Sequence, residues 1–154
     1  MREIKQVFVL FWLSVIFLFL MSATILLMPA GAEAGGNCSA SIGLTFWISA
    51  AAGYLLLFLV NVKRKNMMQK SENTVPKDDK PGVLVFFSNI PALTADIMLF
   101  SSFLIFIILR FTELKNMYIS YIFLFLLIFS LNMHCVFNGR IYKFVTKVRE
   151  MKRL

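Results

Sequence analysis

The sequence contains few of the residues that carry catalytic or metal chemistry. Among 154 residues there are one histidine, two cysteines and eight acidic residues. Structural zinc sites need Cys and His ligands in clusters of four, and the sequence has no such spacing. It also has no nucleophile motif and no glycine-rich phosphate loop. We therefore predict a non-enzymatic protein that holds neither metal nor cofactor.

Charge is scarce as well. Only 16% of the residues are charged and 59% are hydrophobic. In soluble domains about 25% of the residues are charged and about 45–50% are apolar. A helix that crosses a bilayer needs roughly 20 apolar residues. Four segments meet this requirement: residues 7–28, 42–62, 90–109 and 118–138. Backbone polar groups cannot stay open in lipid, so the sequence predicts an all-α, integral membrane four-helix bundle in one domain, 1–154.

The basic residues are unevenly distributed. Of the sixteen Lys and Arg residues, two precede the first helix, six lie in an inner loop at 63–82, and six lie in a basic tail at 139–154. By the positive-inside rule, both termini and the inner loop are cytoplasmic. The same distribution predicts contact with anionic lipid headgroups. It argues against nucleic-acid binding, despite the net charge of +8.

The connections carry further predictions. Residues 83–89 are apolar but too short to span, which predicts an interfacial segment that leads into the third helix. Ser88 or Asn89 can cap that helix, with Pro91 in its first turn. The first apolar run is longer than the core of a signal peptide, so we expect an uncleaved helix. Cys38 and Cys135 are expected on opposite sides of the membrane, where they cannot form a disulfide within one chain.

Small residues recur every four positions in the second segment, at Ser41, Thr45, Ser49 and Gly53. Such a stripe lets another helix approach closely. It is compatible with packing inside the bundle, with a homo-oligomer or a membrane-protein partner, and with a weakly polar pore lining.

A polar layer is predicted between the third and fourth segments. If these helices are antiparallel, Asp96 lies level with Asn132 and His134, and Asn138 and Arg140 lie just below. An ionisable residue inside a span is costly and needs a partner. The layer is compatible with a proton- or ion-linked site, with a satisfied interhelical bridge, and with a ligand or partner contact. Asn138, Gly139 and Arg140 also suit a membrane exit.

The stretches GLTFWISAAAGYLLLFLVN, KPGVLVFFSN and NMHCVFNGRIYKF resemble small four-helix membrane proteins of Gram-positive, clostridia-like bacteria. The resemblance covers most of the chain and implies a bacterial cytoplasmic membrane, with multi-pass insertion. It carries over no functional residue.

We therefore expect a non-enzymatic membrane component, an accessory, immunity or regulatory subunit that acts through helix contacts and a basic cytoplasmic surface. The alternative is a small oligomeric channel, holin or transporter that uses the polar layer.

Overall fold

The structure, a computed structural model, describes residues 2–33, 36–70, 85–112 and 117–153. The side chains of 29–39 lie outside this description. Five helices are present in this part of the chain: α1 (Arg2–Glu33), α2 (Gly36–Lys70), α3 (Ile90–Phe111), α4 (Met117–Phe137) and α5 (Arg140–Met151). The all-helical class is confirmed. Helices α1 to α4 are long and apolar enough to cross a membrane.

The fifth helix corrects the predicted count of four. The region predicted as a basic tail, 139–154, forms α5 over most of its length. Its apolar residues Ile141, Val145 and Val148 recur at steps of four and three, which places them on one helical face. Val145 and Val148 are buried. The many Lys and Arg residues of this region suggested a solvated tail, and the periodic spacing of its apolar residues was overlooked.

Two predicted loops also differ from the structure. Helix α2 continues to Lys70, so the first part of the predicted inner loop is helical. The rest of that loop, 71–82, and the first two residues of the interfacial segment lie outside the described residues. The side chain of Cys38 and residues 113–116 also lie outside them. The remaining interfacial residues, 85–89, are non-helical and precede α3.

The start of α3 follows the predicted capping pattern. Asn89 has extended backbone angles, and its side-chain oxygen accepts a 2.8 Å hydrogen bond from the backbone N–H of Ala92. This satisfies one of the donors that a helix leaves open at its first turn. Pro91 lies in that turn, where its missing N–H removes no helical hydrogen bond. The predicted cap is therefore confirmed, with Asn89 as the capping residue.

The four apolar helices pack in an order that differs from their order in the chain. The main contacts join α2 to α1, α1 to α4, and α4 to α3. Helix α5 contacts α1, α4 and α2. The two helices with the most neighbours are therefore α1 and α4, and α2 and α3 occupy the edges.

The core follows a seven-residue repeat in α1. The buried residues that follow this repeat are Val7, Phe11, Ser14, Leu18, Met21 and Ile25, and Ser22 and Thr24 are buried beside it. The residues of the repeat alternate steps of four and three, the spacing that keeps one seam of a helix facing its neighbours. Ser14 shows how this seam accepts a polar residue, since its hydroxyl donates to the carbonyl oxygen of Phe11 at 2.6 Å. A hydroxyl satisfied by its own helix adds no open polar group to an apolar interface.

Polar contacts bring the start of α1 and the end of α2 together. Lys63 Nζ donates to Gln6 Oε1 at 2.6 Å, and Lys70 Nζ lies 3.4 Å from Glu3 Oε1. Helix α5 also contacts α1 and α2. The basic residues of these three regions are therefore gathered at one end of the molecule.

Candidate functional site

A fully buried carboxylate, that of Asp96, lies in the second turn of α3. Its side chain has no exposed surface. Oδ2 accepts a 2.7 Å hydrogen bond from the backbone N–H of Phe87. The Asn138 amide Nδ2 lies 3.1 Å from Oδ1 and 3.2 Å from Oδ2, and His134 Nδ1 bonds Oδ1. We call Asp96, His134 and Asn138 the Asp96 cluster.

The end of α4 supplies two members of the cluster. His134 and Asn138 are four residues apart, so they lie on one helical face. Asn138 follows the last residue of α4, yet its backbone N–H still donates to the His134 carbonyl at 3.0 Å. His134 is 3% exposed and Asn138 is fully buried. The helical hydrogen bond at this end therefore keeps both side chains aimed at α3.

The tautomer of His134 follows from its neighbours. Its Nδ1 lies close to Asp96 Oδ1 and 3.1 Å from Asn138 Nδ2. A carboxylate only accepts and an amide nitrogen only donates. With the carboxylate ionised, Nδ1 therefore carries a hydrogen that it donates to Asp96, and its approach to Asn138 is a contact between two donors. The backbone N–H of Phe87, the Asn138 amide and this imidazole then all donate to the carboxylate.

The segment before α3 completes this site, and the sequence argument missed its role. Asn138 Oδ1 accepts from the hydroxyl of Ser88 at 2.9 Å and from its backbone N–H at 3.3 Å. Asn89 Nδ2 donates to the carbonyl of Phe137 at 2.9 Å. The ring of Phe86 lies over His134 with centroids 4.6 Å apart. In the sequence, the polar pair Ser88–Asn89 at the end of an apolar stretch is the feature that could have indicated this contact with the end of α4.

We call this arrangement the latch, because it joins three parts of the chain. One buried amide, Asn138, donates to Asp96 of α3 and accepts from Ser88, so that α3, α4 and the segment 85–89 meet at one point. Charge-assisted hydrogen bonds are shorter and stronger than neutral ones. The latch can fix the relative position of the two helices. Because its side chains are buried, a proton shared between the imidazole and the carboxylate would be enclosed within the protein.

Asn132, predicted in the same layer, lies in a different cluster. Its Nδ2 donates to the Ser22 hydroxyl of α1 at 3.0 Å, and its Oδ1 accepts from the Tyr54 hydroxyl of α2 at 3.3 Å. The Ser22 hydroxyl donates onward to the carbonyl of Leu18 at 3.1 Å. Asn132 therefore joins α4 to α1 and α2, and Asp96 and His134 join α4 to α3.

Arg140 begins α5, two residues after Asn138, and is half-buried. It lies close enough to Arg64 of α2 for their positive charges to repel. Arg64 Nε is buried without a hydrogen-bond partner among the described residues. The two arginines place positive charge where α2, α4 and α5 approach one another.

The small-residue stripe divides into two halves. Ser49 and Gly53 are buried, and a Cβ on Gly53 would lie 3.0 Å from Leu18 Cδ2 of α1. Ser41 and Thr45 are exposed. The hydroxyl of Thr45 donates to the Ser41 carbonyl at 2.9 Å. One half of the stripe therefore packs against α1, and the other half is not covered by the described chain.

The described residues contain no group of three or more His, Cys, Asp or Glu that could hold a metal ion. Cys135 is a free, exposed cysteine beside the buried His134. Successive residues of a helix are turned by about 100°, so the side chain of Cys135 points away from the Asp96 cluster that His134 joins.

The fold and site together define a helical protein with four candidate membrane spans, a buried interhelical latch and a basic end. A scan against protein-family models finds no match to this chain. A search of curated proteins and a search of solved structures also find no match.

Proposed function

We propose that this protein is a non-enzymatic, multi-pass membrane component that serves as an accessory, immunity or regulatory subunit. It acts through contacts of its helices and through a basic cytoplasmic surface. The four long apolar helices support a membrane location. The resemblance to small bacterial membrane proteins favours the cytoplasmic membrane of a bacterium.

The observation that carries the proposal is the uncovered face of α2. Only 11% of the residues in the most apolar stretch of α2 are buried, against 39% in α1. On the uncovered half of its stripe, Ser41 and Thr45 are exposed. Small side chains let two helices approach closely in lipid. This part of α2 suits the helix of a second membrane protein.

The proposed orientation places both termini and the end of α2 in the cytoplasm. The contacts of Glu3 with Lys70 and of Gln6 with Lys63 bring the corresponding ends to one side of the molecule. Lys and Arg near helix ends favour the cytoplasmic side. Accessibility tags after Lys70 and at the C-terminus should report the same side, and tags on opposite sides would contradict this topology.

The conduit alternative has less support from the geometry. The Asp96 cluster faces the segment 85–89, and its three side chains are buried and hydrogen-bonded to one another or to that segment. The buried half of the α2 stripe faces α1 instead. Among the described residues, these two sets of polar side chains therefore line no common path.

The test is purification of the tagged protein from its native membranes in a mild detergent, followed by measurement of the mass of the intact complex. Thr45→Leu enlarges an exposed position of the stripe. Ser101→Leu is the matched control, because Ser101 is also exposed and its hydroxyl also bonds its own helix, at Met98 O. We expect a stoichiometric second protein with the unchanged chain and with the control, and its loss with Thr45→Leu.

Two outcomes would overturn the proposal. A closed homo-oligomer with no second protein would favour a conduit, and flux measurements in liposomes would then be the next experiment. Equal loss of the second protein in both variants would show that the α2 stripe is not its docking surface.

A further inference from the structure

A second feature lies at the basic end, between the first turns of α1 and the last turns of α5. Here a groove of about 420 Å³ opens between the two helices. Its floor includes Val7, Val145 and Val148, which are 1%, 7% and 7% exposed. Binding sites for small molecules commonly have volumes of about 300–1,000 Å³ and mostly apolar walls. The groove is therefore large enough and apolar enough for part of a ligand.

The rim of the groove is basic. Lys5 of α1 and Arg149 and Lys152 of α5 line it, and no acidic residue does. All three cationic side chains are exposed. Glu3, two residues before Lys5, is directed to Lys70 of α2, 3.4 Å away. Glu150, which follows Arg149, does not line the groove either. Three positive charges thus surround an apolar floor, and the lining contains no carboxylate.

This combination selects an amphipathic anion. A free phosphate would use the rim and leave the floor unfilled. A neutral lipid would use the floor and leave three charges without a counterpart. An anionic phospholipid satisfies both, because its phosphate can lie among the lysines and the arginine and its acyl chain can cover the valines. Basic residues beside a membrane attract anionic headgroups.

We propose that the groove between α1 and α5 binds one anionic phospholipid, with Lys5, Arg149 and Lys152 around the phosphate. The inference rests on the proposed membrane placement, which puts this end of the molecule at the level of the cytoplasmic headgroups. The lipid would fasten α5 to α1, since its chain would contact residues of both helices.

The experiment is native mass spectrometry of the full chain in a neutral detergent, titrated with phosphatidylglycerol or phosphatidylcholine. The variant Arg149→Gln/Lys152→Gln removes two charges from the rim. Its matched control, Lys143→Gln/Lys147→Gln, removes two exposed charges from the same helix outside the groove. Glycerophosphoglycerol, the headgroup without chains, and inorganic phosphate are tested at the same concentrations.

We expect one retained phosphatidylglycerol, a roughly tenfold or greater loss of affinity in the rim variant, and little change in the control. Equal loss in both variants would show a diffuse charge effect and overturn the proposal. Equal retention of phosphatidylcholine would also overturn it, and so would tight binding of the bare headgroup or of phosphate. Resistance of the chain to alkaline extraction from vesicles, measured separately, shows whether the membrane placement itself has failed.

Discussion

The backbone N–H of Phe87 donates to Asp96 Oδ2 at 2.7 Å, and Phe87 has a φ of 53°. An aromatic residue rarely adopts this left-handed conformation. Such backbone strain costs about 1–3 kcal/mol and persists only where the surroundings impose it. The Asp96 carboxylate therefore fixes the turn that leads the chain into α3, in addition to joining α3 to α4.

Replacing Asp96 with Asn should destabilise the protein. An amide would place an NH₂ group against the donors of Phe87 or Asn138, and each buried donor left without an acceptor costs about 1–3 kcal/mol. The measurement is reversible unfolding in mixed micelles, followed by circular dichroism. Thr94→Val is the control, since Thr94 is exposed on the same helix and its hydroxyl bonds Pro91 O. Similar losses in the two variants would show that the carboxylate has no special role.

Asp96 and His134 should be energetically coupled. Residues in one hydrogen-bonded network show interaction energies of about 0.5–3 kcal/mol in a double-mutant cycle. We expect this from Asp96→Asn, His134→Ala and the double variant, because the second change removes a partner that the first has already disabled. The same unfolding assay provides the four free energies. Additive losses would contradict the latch.

Gly139→Ala should lower stability by about 1–3 kcal/mol, the usual cost of overpacking. The φ of Gly139 is −72°, so its backbone angles do not require glycine. The requirement is space, because a Cβ would lie 2.7 Å from the carbonyl oxygen of Cys135. Gly43→Ala is the control, with no atom within 4 Å of the added carbon. A thermal unfolding midpoint that drops equally in both variants would refute this explanation.

The packing of α1 on α2 should depend on Gly53. A Cβ there would lie 3.0 Å from Leu18 Cδ2 and 3.3 Å from the Leu18 backbone nitrogen. We expect Gly53→Ala to cost about 1–3 kcal/mol in the unchanged chain. The cost should be smaller in a Leu18→Ala background, where the larger side chain is absent. An identical cost in both backgrounds would mean that Gly53 matters for another reason.

The helical fold was readable from sequence because a lipid core constrains length and hydropathy directly. The four long helices follow from this constraint. Helix α5 does not, because it is short and its apolar positions at Ile141, Val145 and Val148 are interleaved with basic residues. Its burial depends on α1, which no local pattern in 139–154 reveals.

The site was only partly readable. Counting along antiparallel helices places His134 near Asp96, and the structure confirms this contact. The same counting places Asn138 just below that level, whereas the structure brings its side chain onto the Asp96 carboxylate. Whether this cluster has more than a structural role stays a prediction. Asn132 was grouped with them by height alone. Two residues from His134, it is turned by about 200° and faces α1. Ser88 lies in a non-helical segment, where no periodicity indicates direction.

The row order α2, α1, α4, α3 has a consequence for biogenesis. Each edge helix packs mainly on its own partner in a sequence-adjacent hairpin, α2 on α1 and α3 on α4. The Gly53–Leu18 contact lies within the first hairpin, and the Asp96–His134 bond lies within the second. The first hairpin can therefore form while the second is still being synthesised. The α1–α4 contact and the Asn132–Ser22 bond then join the α1–α2 hairpin to the α3–α4 hairpin after each has formed.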